Sequence, residues 1–171
     1  MGLCKTNILV KERGVSMLIQ TRFFGEVDIE DEKILTFDNG IMGFEDMKRW
    51  TLIYDIEKGS EGPISWFQSL DMAELALPVI NPYTVTAVYE PVVEDELLKP
   101  LGEFKDEELV TFLTITIPAE DPSKTTANFR APILINPVNR KGIQVIVNNE
   151  DYPIKFSIYE SVQKMKAEKN K

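Results

Sequence analysis

Residues 125–136 read Thr-Thr-Ala-Asn-Phe-Arg-Ala-Pro-Ile-Leu-Ile-Asn. The segment opens with polar residues that favour a turn and continues as a strand whose side chains alternate between two faces. Those faces carry Phe129, Ala131, Ile133 and Ile135 on one side, and Arg130, Leu134 and Asn136 on the other. Pro132 has no N–H group to donate to a neighbouring strand, so we expect the segment at a sheet edge or a bulge. An edge strand beside a polar turn is typical of a recognition surface.

The same period of two recurs along the chain, and turn-forming residues separate its runs. Further strands are predicted at residues 17–23, 33–37, 50–54, 64–68, 85–88, 109–117, 143–147 and 154–158. Residues 94–101, with Leu97, Leu98 and Leu101 at helical spacing, and the segment from Ser161 predict short helices. We therefore expect an all-β, mainly antiparallel domain, a small barrel or a sandwich, with one or two short helices. The aromatic residues Trp50, Trp66 and Phe67 are expected in its core.

Charge divides the chain into three parts. Residues 1–16 carry +2 and residues 161–171 carry +3, so the net charge of −9 leaves −14 for residues 17–160. We expect residues 17–160 to form one β-rich binding domain, between a disordered extension at 1–16 and a lysine-rich tail at 161–171. A body with this charge repels a phosphate backbone and attracts a basic protein.

The sequence that precedes Met17 bears on where translation of the chain starts. Residues 11–14 can be encoded by a purine-rich run that resembles a bacterial ribosome-binding site shortly before Met17. We expect Met17 to be the natural start, and the alternative is a genuine disordered extension.

Missing residue types disfavour several classes of function. The chain has no histidine, which is the commonest general base and metal ligand, and Cys4 is its single cysteine. No apolar run approaches the roughly 20 residues that span a bilayer. We therefore predict a cytoplasmic binding protein that is not an enzyme, holds no cofactor or metal ion, and binds neither membranes nor nucleic acid directly.

Three short segments carry the candidate binding residues. Gly-Ile-Met-Gly-Phe-Glu at residues 40–45 lacks the Lys-Ser or Lys-Thr pair of a phosphate loop. It is either a tight turn plugged by its apolar side chains or an exposed, adaptable apolar contact. The acids that open the predicted helix either stabilise its N-terminus or attract a basic partner. With the turn before Pro132, the predicted partner-binding residues are Met42, Phe44, Glu45, Glu94, Asp95, Glu96, Asn128, Arg130 and Leu134.

Several motifs stand in an order that resembles one known family. They are Phe-Asp-Asn-Gly-Ile-Met-Gly-Phe-Glu at 37–45, Trp-Phe-Gln-Ser at 66–69, Leu-Pro-Val-Ile at 77–80, Ile-Thr-Ile-Pro at 115–118 and the segment 125–136. Together they resemble the flagellar assembly factor family FliW, over roughly residues 17–158.

The resemblance implies a protein with two alternating partners. It implies binding of flagellin, through an amphipathic terminal segment that lies in a groove. It also implies that the protein, once flagellin has been exported, captures the RNA-binding translational repressor CsrA and relieves repression of flagellin mRNA. The residues alone leave two other classes open, a small-molecule-binding β-barrel and a histidine-free hydrolase built on paired carboxylates.

Overall fold

The computed structural model describes residues 14–54 and 63–169. Their strands are β1 (Ser16–Gln20), β2 (Glu26–Glu30), β3 (Ile34–Thr36), β4 (Arg49–Tyr54), β5 (Ile64–Ser69), β6 (Ala76–Ile80), β7 (Val110–Thr116), β8 (Thr126–Ala127), β9 (Ile133–Asn136), β10 (Lys141–Gln144) and β11 (Phe156–Ser157). The helices are α1 (Asp95–Leu98), which continues as a 3-10 turn (Lys99–Leu101), and α2 (Tyr159–Lys169). In this part of the chain no helix is both long and apolar enough to cross a membrane. The expectations for residues 1–13 lie outside the described residues.

Among the described residues, seven strands close into a barrel. Their order is β7-β6-β5-β4-β3-β10-β9, and β9 pairs with β7 to complete the ring. Every pairing in the ring is antiparallel except that of β3 with β10, which is parallel and joins Thr36 to Lys141. Strands β8 and β11 extend the sheet beyond β7, and β1 and β2 form a separate hairpin. The predicted all-β, mainly antiparallel fold with short helices is confirmed.

Aromatic side chains fill the barrel. The rings of Phe37 and Phe67 meet edge to face at 6.1 Å between centroids, and Phe112 meets Phe67 at 5.7 Å. Phe37, Trp50 and Phe67 are fully buried, in keeping with the prediction for Trp50 and Phe67. Trp66 is half-buried and packs against Phe23 of the β1–β2 connection. The interior is thus a packed core, as in other small barrels.

A second apolar layer covers the outside of β9 and β10. Leu134, Ile143 and Val145 pack there with Leu101, which follows α1 and is fully buried. Asn136 is also buried, and its Nδ2 donates to the carbonyl oxygens of Leu101 and Glu103 at 2.9 and 3.0 Å. These contacts fix α1 over the barrel wall, because the amide ties its 3-10 continuation to β9.

Two local predictions are wrong. Pro132 is not in an edge strand, because β9 begins only at Ile133 and pairs with β10 on one side and β7 on the other. Pro132 lies just before the ladder, where its carbonyl accepts a hydrogen bond from Val145 N–H. Residues 85–88 form no strand, because the 3-10 turn at Pro82–Thr84 redirects the chain after β6.

Gly142→Ala is expected to destabilise the protein by about 1–3 kcal/mol, as overpacking of a dense core does. A Cβ atom at Gly142 would stand 2.3 Å from Cζ of the buried Phe37 ring, which has no free space to move into. Chemical denaturation measures the change. Gly14→Ala is the control, since a Cβ there meets nothing within 4 Å. Equal effects of the two substitutions would contradict the close packing of Phe37 against Gly142.

Candidate partner-binding groove

The segment 40–45, here called the glycine turn, folds back on itself. Gly40 has φ 67°, and a Cβ atom there would stand 2.5 Å from the backbone of Glu45, so only glycine fits this crossing. Phe44 N–H donates to Ile41 O at 2.7 Å, which closes the turn. Ile41 is buried in the barrel core and anchors the turn. The sequence allowed two alternatives for this turn, a plug of buried apolar side chains or an exposed apolar surface. The structure combines them, because some apolar side chains of the turn are buried and others are exposed.

Met42 is the exposed member of the glycine turn, with 44% of its surface accessible. Its N–H donates to Gln144 Oε1 at 2.9 Å, and Gln144 Nε2 donates to Ala131 O at 3.0 Å. The Glu45 carboxylate accepts from Gly43 N–H at 3.0 Å, and this hydrogen bond holds the pKa of Glu45 below its usual value. The backbone under Met42 is thus tied to the barrel, while its flexible thioether side chain faces outward.

Helix α1 forms the opposite side of a groove that begins at the glycine turn. The groove encloses about 210 Å³ and is lined by Asn39, Gly40, Met42, Glu45, Leu97, Ile143, Gln144 and Val145. Leu97 is 43% exposed, while its helical neighbours Leu98 and Leu101 pack on the barrel. The exposed acids Asp95 and Glu96 form the first turn of the same helix, and the exposed Glu94 directly precedes it. We call this apolar groove with acidic surroundings the partner groove.

The structure brings together some of the predicted binding residues and separates others. Met42 and Glu45 line the partner groove. The three predicted acids do not line it, although they lie at the start of α1. Phe44 is half-buried against the barrel core. Leu134 is only 4% exposed and belongs to the layer beneath α1. A direct contact with a partner stays a prediction for all of them.

Asn128 and Arg130 form a local network outside the partner groove. The Asn128 Oδ1 atom accepts from the N–H groups of Arg130 and Ala131 at 3.0 and 3.1 Å. The Arg130 Nη2 atom donates to the carbonyl oxygens of Asn149 and Glu150 at 3.3 and 3.0 Å. Asn128 therefore makes the backbone-capping turn that is typical of asparagine, and Arg130 fastens a neighbouring loop.

Leu97 and Gln144 are among the groove residues that the sequence analysis did not predict. The spacing of Leu97, Leu98 and Leu101 suggested one buried face, but α1 is a single turn that tightens into a 3-10 helix at Lys99. The tighter winding leaves Leu97 outside. Gln144 occupies a polar position of an alternating strand, and nothing local in the sequence signals its long-range bond to Met42.

Comparison with known proteins identifies the family. The sequence model of the family described as FliW protein matches residues 18–158. The chain belongs to the FliW family. A relative in Lachnoclostridium phytofermentans, named flagellar assembly factor FliW, is 51% identical over 147 residues, which cover 86% of this chain and 94% of the relative. Another of the same name, in Thermotoga maritima, is 41% identical over 151 residues and covers 88% and 99%, respectively.

A solved structure agrees with this assignment to the FliW family. The crystal structure of the flagellar assembly factor FliW superimposes with a TM-score of 0.74 at 29% sequence identity. The match covers 84% of this chain and 97% of the other. The resemblance seen in the motifs is thereby confirmed, and so is the barrel fold. Within residues 14–54 and 63–169, no group of three or more histidine, cysteine, aspartate or glutamate residues is placed to hold a metal ion.

Asn128→Ala is expected to lower the free energy of unfolding by roughly 1 kcal/mol, because two backbone N–H groups lose their acceptor. Asn148→Ala is the matched control, since Asn148 is exposed and its side chain has no hydrogen bond among the described residues. Thermal melting of both variants checks the difference. An Asn128→Ala protein as stable as wild type but defective in partner binding would instead move this turn into an interface.

Proposed function

We propose that the protein is a cytoplasmic flagellar assembly factor that binds flagellin and, when free of flagellin, binds and antagonises the translational repressor CsrA. Release of the repressor's target then allows translation of flagellin mRNA. Membership of the FliW family supports the assignment to flagellar assembly. The observation that carries the binding role is the partner groove, where apolar side chains lie exposed between a rigid turn and an acidic helix.

The partner groove suits an amphipathic segment. Such segments lay an apolar face into a groove while their polar face stays in water. Met42 and Leu97 supply the exposed apolar surface, and methionine adapts its shape to a partner. A flagellin terminus that is unfolded before export would meet these requirements, because it gains order only on binding.

The charge of the domain suits the repressor. A protein that binds RNA presents basic side chains to phosphates, and residues 17–160 carry a net charge of −14. Complementary charge accelerates encounter and discriminates among partners, and salt screens it over about 8 Å at physiological ionic strength. The same acidic surface repels RNA, so capture of the repressor and loss of its RNA would favour each other.

Met42→Asp is expected to abolish binding of at least one partner and to leave the melting temperature nearly unchanged, because 44% of the residue's surface is already in water. Met72→Asp is the matched control, since Met72 is 41% exposed and does not line the partner groove. Titration and melting are measured on the same samples. A Met42→Asp protein that binds both partners normally would remove the groove from the interface, and a strongly destabilised one would make Met42 part of the core.

Mutual exclusion is the second expected property. Excess flagellin is expected to displace the repressor from the protein. The reason is that, in the proposed function, a single domain binds either flagellin or the repressor, but not both at once. Size-exclusion chromatography of mixtures at increasing flagellin concentration follows the displacement. A stable complex of all three proteins at every ratio would contradict the alternation of partners.

A further inference from the structure

A second and larger groove lies on the other side of α1. It encloses about 720 Å³ between the segment that precedes α1 and the segment that enters β7. Its apolar residues are Val93, Leu98, Leu109, Val110 and Leu134, and two tyrosines, Tyr83 and Tyr89, complete the wall. None of the residues that line the partner groove lines this one. We call it the tyrosine groove.

Negative charge surrounds the tyrosine groove. Its lining includes the carboxylates of Glu90, Asp95, Asp106 and Glu107, and no lysine or arginine of the described residues lines it. Within the described parts of the chain, none of these four carboxylates forms a salt bridge or accepts a hydrogen bond. Like charges around one cavity repel each other, and a ligand with positive charge relieves that repulsion.

The four carboxylates do not converge on a point. No group of three or more potential ligands in residues 14–54 and 63–169 is close enough to hold one metal ion. The groove is also open, and much of its surface is apolar. A matching ligand therefore carries several separate positive charges and apolar groups between them, which an inorganic cation does not.

The backbone beside the groove favours an extended peptide. β6 pairs with β7 only at Leu113 and Thr114, and β9 pairs with Val110 and Thr111 along the opposite edge of β7. In the described residues, the edge of Val110 and Thr111 that faces away from β9 thus has no strand partner. Both residues line the tyrosine groove. Unpaired strand edges accept peptides by adding a strand, with main-chain hydrogen bonds for affinity and side-chain pockets for specificity.

We propose that the tyrosine groove docks an extended peptide segment of a partner protein in which lysine or arginine alternates with apolar residues. The segment pairs with the edge of Val110 and Thr111. Because successive side chains of a strand point to opposite faces, its apolar residues cover Leu98 and Leu109 while its basic residues reach the carboxylates. Tyr83, which is largely exposed, offers a ring face to an alkyl ammonium or guanidinium group. This site stands independently of the function proposed above.

The test is a calorimetric titration of the full chain with the capped peptide Lys-Leu-Lys-Leu-Lys. Wild type is expected to bind it, and the double variant Asp106→Asn, Glu107→Gln is expected to bind about tenfold more weakly, because two carboxylate contacts are lost. The control Asp28→Asn, Glu30→Gln makes the same change of net charge on the exposed face of β2, away from the groove. Its affinity is expected to equal that of wild type. Absence of binding to wild type, or equal loss in both variants, would overturn the proposal.

Two further ligands test the binding mode. A peptide in which every backbone nitrogen is methylated keeps every charge and side chain but has no main-chain N–H group to donate to a strand edge, and it is expected to lose most of its affinity. Undiminished binding of this peptide would overturn strand addition. Spermidine has the charges without leucine side chains and is expected to bind far more weakly. If it binds as tightly as the peptide, the groove takes polyamines and the peptide proposal fails.

Discussion

The barrel depends on the close contact between the Phe37 ring and the backbone of Gly142. Phe37 follows β3 and Gly142 lies in β10, the two strands that form the parallel seam of the ring. The ring lies so close to Gly142 that even a methyl group on that residue would collide with it. Dense cores tolerate few such changes, because their atoms lack room to relax. Phe37 also makes edge-to-face contacts with Trp50 in β4 and Phe67 in β5, so a displaced Phe37 ring would disturb the packing of these strands as well.

The same seam determines where the functional surfaces lie. The glycine turn begins at Gly40, shortly after Phe37, and Ile41 packs in the same core cluster as Phe37. On the other side of the seam, Gln144 ends β10 and accepts the Met42 N–H. Because Gln144 belongs to the closed barrel and Ile41 anchors the turn in its core, Met42 is exposed at a fixed place. Recognition surfaces that are held by a rigid frame lose less entropy on binding than mobile loops do.

Helix α1 separates two surfaces of different character. Its exposed Leu97 faces the partner groove, while Leu98 lines the tyrosine groove. The acids at its start belong to a strongly acidic domain and attract basic partners to either side. The helix is short, and Asn136 and Leu101 hold its 3-10 continuation on the barrel wall. Packing on β9, and not helical propensity, therefore positions both grooves.

Sequence periodicity predicted most of the barrel strands and the burial of Trp50 and Phe67, because alternation and side-chain volume act locally. It did not predict β2 or β6, and it placed the half-buried Trp66 in the core. Strand β7 lies within its predicted run, and Trp50 and Phe67 are in the core. The features that were predicted wrongly depend on contacts between distant parts of the chain. Pro132 suggested an edge, yet the ladder begins one residue later and is covered on both sides. Leu134 was predicted on the face of the strand that points away from the core, but the segment that contains α1 covers this face and buries Leu134. The partner groove was found in part, through Met42 and Glu45, while Leu97 and Gln144 needed the folded chain.

Native-state hydrogen exchange tests most directly whether the seam is integral to the barrel. The Thr36 N–H donates across the seam to Arg140 O at 2.9 Å. If the Phe37–Gly142 contact holds the fold together, the Thr36 amide exchanges only through global unfolding, with the same free energy and denaturant dependence as the amides between β4 and β5. Exchange of Thr36 through a smaller local opening, while β4 and β5 stay protected, would contradict the account.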